Sequence, residues 1–300
     1  MSFARHNLLR ERFMAPSTAA SIPPPLRPYL ESLHWNPTPP SHPHGDADGP
    51  VEDGANSVHD LILVTQLVSY SANWILLRFL QHALHSPVLE EGDTTLSPKP
   101  VILLSFMHDF TYWNRGLSRL GIDAEKARAC GAFNFIDGMS LDSLEAGLLQ
   151  VQAIVHKANA PQEVLVLLDS PDVLVAATEG QAIPLLAKLT ATRRSVRALV
   201  CTVHVDINLG MKPTRDTLGE TPLETQQRTF VLGLATVARM TIGVRGLDSG
   251  AAKDVSGVLT VARGVEDWDE RREEVQEGEW LYFIRTDGGS NIFRRGEGVG

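Results

Sequence analysis

Residues 61–75 read LILVTQLVSYSANWI, and this stretch decides what kind of domain follows. Leu61 to Val68 is an almost unbroken apolar run of strand length, after which the pattern becomes helical through Leu80. A strand buried on both faces needs no alternation, so such a run feeding a helix reads as the start of a parallel sheet with helical crossovers. The stretch does not read as a bilayer span, because Thr65, Gln66, Ser69, Ser71, Asn73 and Arg78 would be poorly satisfied in hydrocarbon.

The pattern recurs downstream. Val101 to Phe106, Phe133 to Ile136, Val164 to Leu168, Ala198 to His204, Met240 to Val244 and Val255 to Val261 are further candidate strands, separated by amphipathic stretches. Leu144, Leu148, Val151 and Val155 recur at helical spacing, with Asp142 and Glu145 placed for a capping box. Thr221-Pro222-Leu223-Glu224 marks a second helix start: a capping hydroxyl, proline at the first position and a carboxylate that reaches back to the cap amide. That helix should run to about Ala238, with Leu223, Phe230, Leu234 and Val237 inward. Trp280 to Arg285 and Asn291 to Arg294 flank Asp287-Gly288-Gly289-Ser290 as a hairpin. The expected fold class is α/β over residues 58–300, a mainly parallel sheet flanked by helices with a C-terminal antiparallel hairpin.

Ten of the 18 prolines fall in the first fifty residues, so residues 1–57 are expected to be largely extended, with one short anchored piece around Leu26 to Trp35. His42 and His44 lie in that segment and read as solvated linker. Met1 to Met14 has no apolar stretch of the kind a secretory signal needs, which points to an intracellular chain. With 27 Lys and Arg against 36 Asp and Glu, the net charge of -9 argues against a broadly basic nucleic-acid coat or an anionic-membrane binder. Two cysteines, Cys130 and Cys201, both expected in apolar surroundings, cannot build a disulfide framework or a cysteine-rich zinc site.

The chemistry-bearing residues gather at strand ends. A phosphate loop needs glycines that let amides turn inward, a lysine for the β and γ groups and a hydroxyl for magnesium. The junction after the first strand has neither glycine nor lysine, and only Ser71 and Asn73 remain as weak anion contacts beside bulky Tyr70 and Trp74. Val164 to Asp169 has the form of a strand ending in a magnesium-orienting carboxylate, but the same Asp169 equally caps or holds a loop, and the absent lysine favours that structural role. His108-Asp109 and His204-Val205-Asp206 could each pair a base with an orienting acid, although strand-end polar groups more often satisfy loop amides. No Gly-x-Ser-x-Gly elbow and no His-x-x-x-His spacing occurs. Asp206 to Glu220 reads as a long loop whose Lys212 and Arg215 could meet an anionic partner. The acidic run Glu266 to Glu279 reads as solvated surface.

The succession of the 61–66 strand, Ser105-Phe106 through Trp113, Phe135-Ile136-Asp137-Gly138-Met139-Ser140 and Val164 to Pro171 resembles the family of sixth subunits of the Elongator complex, of fungal type. The resemblance runs from Leu61 to the C-terminus. It implies a RecA-like, P-loop NTPase type fold with a degenerate Walker A loop, no cofactor and no catalytic residue of its own. It also implies a hexameric ring with the fourth and fifth Elongator subunits, which joins the catalytic subcomplex, binds tRNA and supports wobble-uridine modification in the cytoplasm, with a nuclear pool as the alternative. Lys212 and Arg215 are then the candidate tRNA contacts. The rival expectations are an active ATPase with an unusual phosphate loop and a recombination-mediator-like DNA-binding module.

Overall fold

The computed structural model describes residues 22–31, 59–84, 100–141, 143–158, 163–177, 182–205, 221–250, 252–264 and 275–297. Strands β1 (Asp60–Gln66), β2 (Val101–Ser105), β3 (Phe133–Asp137), β4 (Leu165–Asp169), β5 (Ala198–His204) and β6 (Met240–Arg245) run parallel. Antiparallel β7 (Gly257–Arg263), β8 (Gly278–Ile284) and β9 (Ser290–Phe293) extend the same sheet, whose order is β3-β2-β4-β5-β1-β6-β7-β8-β9. The helices are α1 (Arg27–Glu31), α2 (Asn73–Leu84), α3 (Phe110–Arg119), α4 (Ala124–Ala129), α5 (Leu144–Lys157), α6 (Val173–Ala177), α7 (Ala182–Arg193) and α8 (Pro222–Val237). This is the mainly parallel sheet flanked by helices, with a C-terminal antiparallel addition, that the sequence predicts.

The sheet divides the core into two. Successive residues of a strand point to opposite faces, so Ile62 and Val64 pack with α1 to α4 while Leu61 and Leu63 pack with α5 to α8. Both faces are covered, which is why the parallel strands read as continuous apolar runs. At the amino edge the charges that begin strands are tied off internally: Asp60 and Arg239, both buried, pair at 3.3 Å, and Arg193 donates to the carbonyls of His59 and Val237.

Several sequence expectations shift. Val255 to Val261 was expected among the crossover strands, but β7 begins at Gly257 and runs antiparallel to β6, because residues 246–256 are too few to hold a helical crossover. The antiparallel addition is therefore three strands rather than a lone hairpin. The α5 cap is Ser143, whose hydroxyl accepts from the Ala146 amide at 3.2 Å; Asp142 lies outside the described residues. The α8 capping box forms with Thr221, Pro222 and Glu224 as expected, and the helix buries Phe230, Val231 and Leu234. Leu223 instead sits in the exposed first turn, one turn too early to reach the sheet. Cys130 is exposed at the end of α4, not in an apolar setting.

The proline-rich lead-in holds more order than its composition suggests. Pro24–Leu26 forms a 3-10 turn that continues into α1, with prolines confined to first-turn positions where their missing amides cost nothing. Leu26, Tyr29 and Leu30 are buried against the antiparallel addition, and Tyr29 donates to the Gln276 carbonyl at 2.6 Å while its ring meets Trp280 edge-on. On the same face of the sheet, the buried Arg78 of α2 donates to Ser290 Oγ at 3.1 Å and to the Gly288 carbonyl at 3.3 Å, in the turn where Gly288 adopts a φ of 88°. Burial, and then Arg285, lowers the Arg78 guanidinium to about 10, against an opposing pull from Asp287.

If residues 22–31 are an integral part of this core, Leu30→Ala should lower the free energy of unfolding by about 2–4 kcal/mol, the usual loss for a buried leucine. The urea midpoint measures it. A dangling lead-in would leave the midpoint unmoved.

Candidate functional site: the carboxyl edge of the sheet

In a parallel sheet all strand C-termini lie on one edge, and ligand crevices open between neighbouring strands whose connections leave toward opposite faces. Three such gaps occur among the described residues, one of them between β2 and β3, where β3 leads to α5 on the face opposite α3; the other two carry the polar networks of this edge. β1 leads to α2 on one face while its neighbour β5 leads to α8 on the other, and β2 leads to α3 while β4 leads to α6. Side chains of this chain close these two gaps.

Across the first gap, Gln66 and His204 are direct partners in the β1–β5 register, and Gln66 Nε2 lies 3.0 Å from His204 Nε2. Gln66 Oε1 accepts from the Ala72 backbone amide at 2.6 Å, at the very start of α2. Ser71 Oγ accepts from the Asn73 amide at 3.2 Å. Two of the amides at this helix start, those of Ala72 and Asn73, are thus engaged by oxygens of the chain itself. His204 continues the chain of bonds to Asp172, whose Oδ2 lies 3.0 Å from His204 Nδ1 and accepts from the His204 backbone amide and from Gln227.

Across the second gap, Ser105 and Asp169 are direct register partners, both fully buried, with Ser105 Oγ 2.7 Å from Asp169 Oδ2. His108 Nδ1 lies 3.0 Å from the same oxygen, Ser170 donates to Oδ1 at 3.1 Å, and Trp113 Nε1 donates to Ser105 Oγ at 3.2 Å. Ser170 holds a φ of 57°, a left-handed conformation that costs a non-glycine residue about 1 kcal/mol and is retained here by its bonds to Asp169 and Thr202. His108 stacks on Tyr112 at 3.9 Å, and the buried Asn73 donates to the Tyr112 hydroxyl at 3.0 Å. Asn73 Oδ1 and Asp172 Oδ1 are buried with no hydrogen-bond partner among the described residues.

These bonds place the expected residues differently from their order in the sequence. His108 pairs with Asp169, not with Asp109, whose carboxylate caps α3 by accepting from the Tyr112 amide. His204 pairs with Asp172, while Asp206, Lys212 and Arg215 lie outside the described residues, as does the acidic run from Glu266 to Glu274. Ser71, Asn73 and Asp169 do gather on one edge, but Ser71 is spent on Asn73, and Asp169 is enclosed by hydroxyls and an imidazole. Ser105, Gln66, Asp172 and Gln227 were not singled out in the sequence. Ser105, Gln66 and Asp172 share one signal with the residues that were: a polar side chain at, or just past, the last position of an apolar strand.

Ser105, His108 and Asp169 do not form a nucleophilic triad. The serine is buried, and its single proton goes to Asp169 Oδ2 or to the His108 carbonyl, each 2.7 Å away. Burial first, and then the Asp172 and Asp169 carboxylates, hold the Cys201 thiol well above its ordinary range, so it is no thiolate nucleophile. No group of three His, Cys, Asp or Glu suited to a metal ion occurs among the described residues. Beside the β1–α2 junction a cleft of about 430 Å³ is lined by hydroxyls and by Tyr70, Trp74 and Tyr282, without a charged residue to hold phosphate.

The same edge also exposes apolar side chains, beside the exposed Ser69, Ser71, Asp109 and Ser140. Val68 after β1, Met107 after β2 and Met139 after β3 are exposed, Val68 at 74% and Met139 at 57%, together with Tyr112 in the first turn of α3. No helix among the described residues is long and apolar enough to cross a membrane.

No protein-family model matches the chain, and no curated relative does. Among solved structures, a KaiC-like protein from the hyperthermophilic archaeon Pyrococcus horikoshii OT3 is similar, with 12% identity and a TM-score of 0.47 over 79% of this chain and 90% of that one. That degree of likeness says nothing of what the two chains bind.

Because Asp169 is the shared acceptor of the second gap, Asp169→Ala should cost about 2–4 kcal/mol by leaving buried donors unsatisfied, and Asp169→Asn, which keeps an acceptor oxygen, about half that. Urea unfolding with an unchanged m-value is the measure.

Proposed function

We propose that this chain is a non-catalytic RecA-like subunit of the Elongator accessory hexameric ring, assembled with the fourth and fifth subunits, through which the ring binds tRNA and supports wobble-uridine modification by the catalytic subcomplex. The observation that carries the non-catalytic part is the closed β1–α2 junction, where Gln66 and Ser71 occupy the helix-start amides. The resemblance of residues 61–66, 105–113, 135–140 and 164–171 to sixth Elongator subunits supports the choice of assembly. Head-to-tail packing of RecA-like domains places a neighbour over the carboxyl edge, and the exposed Val68, Met107, Tyr112 and Met139, spread along that edge, suit a protein occupant. The work of this subunit is then to complete the ring rather than to turn over nucleotide. Its place is the cytoplasm, with no membrane partner.

Native mass measurement after co-expression tests the assembly. The chain should enter a ring with two copies of each subunit, and Val68→Asp with Met139→Asp should block entry while leaving the isolated chain folded. A lone monomer with every partner would overturn the reading. Tight ATP binding by the isolated chain, abolished by Asp169→Asn, would favour the hydrolase instead.

For tRNA the expected contacts are Lys212 and Arg215. Lys212→Ala with Arg215→Ala should weaken tRNA binding by the assembled ring and reduce the salt slope by about two, one for each phosphate that is no longer neutralised. Unchanged affinity and slope would remove these residues from the tRNA path, and a preference for single-stranded DNA would favour the recombination-mediator reading.

A further inference from the structure

The bonds across the first gap have a direction that the backbone fixes. The Ala72 N–H is a donor, so the Gln66 atom 2.6 Å from it is the carboxamide oxygen. The Gln66 amide nitrogen therefore faces His204 Nε2, 3.0 Å away, and as that nitrogen is itself a donor, Nε2 must be the unprotonated, accepting atom of the ring. The imidazole proton then sits on Nδ1, aimed at Asp172 Oδ2 at 3.0 Å. The whole series, Ala72 to Gln66 to His204 to Asp172, is consistent with neutral His204 only.

We infer that His204 is a proton-operated latch on the β1–α2 junction. A second proton on the ring puts a donor on Nε2, facing the donor amide of Gln66. Gln66 relieves this by turning its oxygen to the imidazolium, which presents its NH2 to the Ala72 N–H and sets two donors against each other at the start of α2. The Ala72 amide loses its acceptor, and the junction from Leu67 to Ala72, which carries the exposed Val68, is released. Imidazole is the side chain whose charge ordinarily changes between about pH 5 and 8, so the closed junction belongs to the upper part of that range and opens on acidification. The His204 side chain is one-fifth exposed, at 21%, so protons reach it from solvent.

Among the described residues, the contacts of Gln66, Asp172 and Gln227 with His204 leave the switch to it. Asp172, from the connection between β4 and α6, is the carboxylate in contact with the ring and favours the imidazolium, while Gln66 from β1 opposes it. Asp169 and the buried Cys201 stand further along β4 and β5. The α6 sequence VLVAA brings no titratable group, α8 presents uncharged Gln227, and Glu224 at the start of α8 is engaged in its own cap. His108 is bonded to Asp169 across the other gap. The latch is a property of the isolated chain and holds whether or not the ring reading does.

Amide hydrogen exchange on the full chain, with each rate divided by that of the unstructured peptide at the same pH, is the test. Protection of Ala72 should fall about tenfold from about pH 7.5 to about pH 5.5, while that of β4 stays constant. In Gln66→Glu a carboxylate accepts from both Ala72 and the imidazolium, so protection should persist at the lower pH. Equal protection of native Ala72 at both pH values, or the same loss in Gln66→Glu, would overturn the inference. Should that variant not fold, the ¹⁵N shifts of the native His204 ring decide: the Nδ1–H tautomer at the higher pH supports the latch, and the Nε2–H tautomer refutes it.

Discussion

A parallel sheet sends all its strand ends to one edge, where backbone groups run out of ladder partners just as helix N-termini arrive with unsatisfied amides of their own. Everything distinctive about this chain follows from how that edge is completed. Nucleotide-binding domains of similar plan leave the edge open and let phosphate answer the amides. Here Gln66 and His204 join β1 to β5, and Ser105 and Asp169 join β2 to β4, each pair standing opposite in the strand register. The paired atoms offset much of the cost of their burial within the protein, while Asn73 Oδ1 and Asp172 Oδ1 beside them are buried with no hydrogen-bond partner among the described residues.

The closed edge constrains the rest of the molecule. α2 begins at the Gln66 bond and ends against the antiparallel addition, where Arg78 holds the turn before β9. α1, from the proline-rich segment, covers the same addition on the same face of the sheet through Tyr29 and Trp280. One helix thus links the strand-end network to the three antiparallel strands, and a change at Gln66 bears on both. At the opposite edge, arginines neutralise the strand starts from within, as with Arg239 on Asp60, while exposed apolar side chains occur both at the carboxyl edge and on α5, α7 and α8.

On the proposed ring reading, the consequence is a division of labour among related subunits. A domain that has given its anion-binding amides to its own side chains keeps the shape of a nucleotide fold and loses its reagent, and what it retains to offer is surface. The exposed Val68, Met107 and Met139 lie around the two closed gaps rather than within them. A neighbour seated there would cover apolar area without needing the buried polar atoms beneath.

The elements themselves were legible in the sequence, since they depend on local chemistry. Apolar runs of strand length became β1 to β6, and Thr221 with Glu224 capped α8, because a strand's burial and a helix's cap are set by residues within a few positions of one another. The missing glycines and lysine at the β1–α2 junction were likewise plain to read. What the sequence could not supply was pairing between distant residues. Gln66 and His204 are 138 positions apart, and Ser105 and Asp169 are 64 apart. In sequence His108 stands beside Asp109, and only the strand order brings it to Asp169, as it brings His204 to Asp172. Register along a sheet is a long-range property, fixed by which strands lie side by side, so the identity of the strand ends was written locally and their chemistry was decided by the fold.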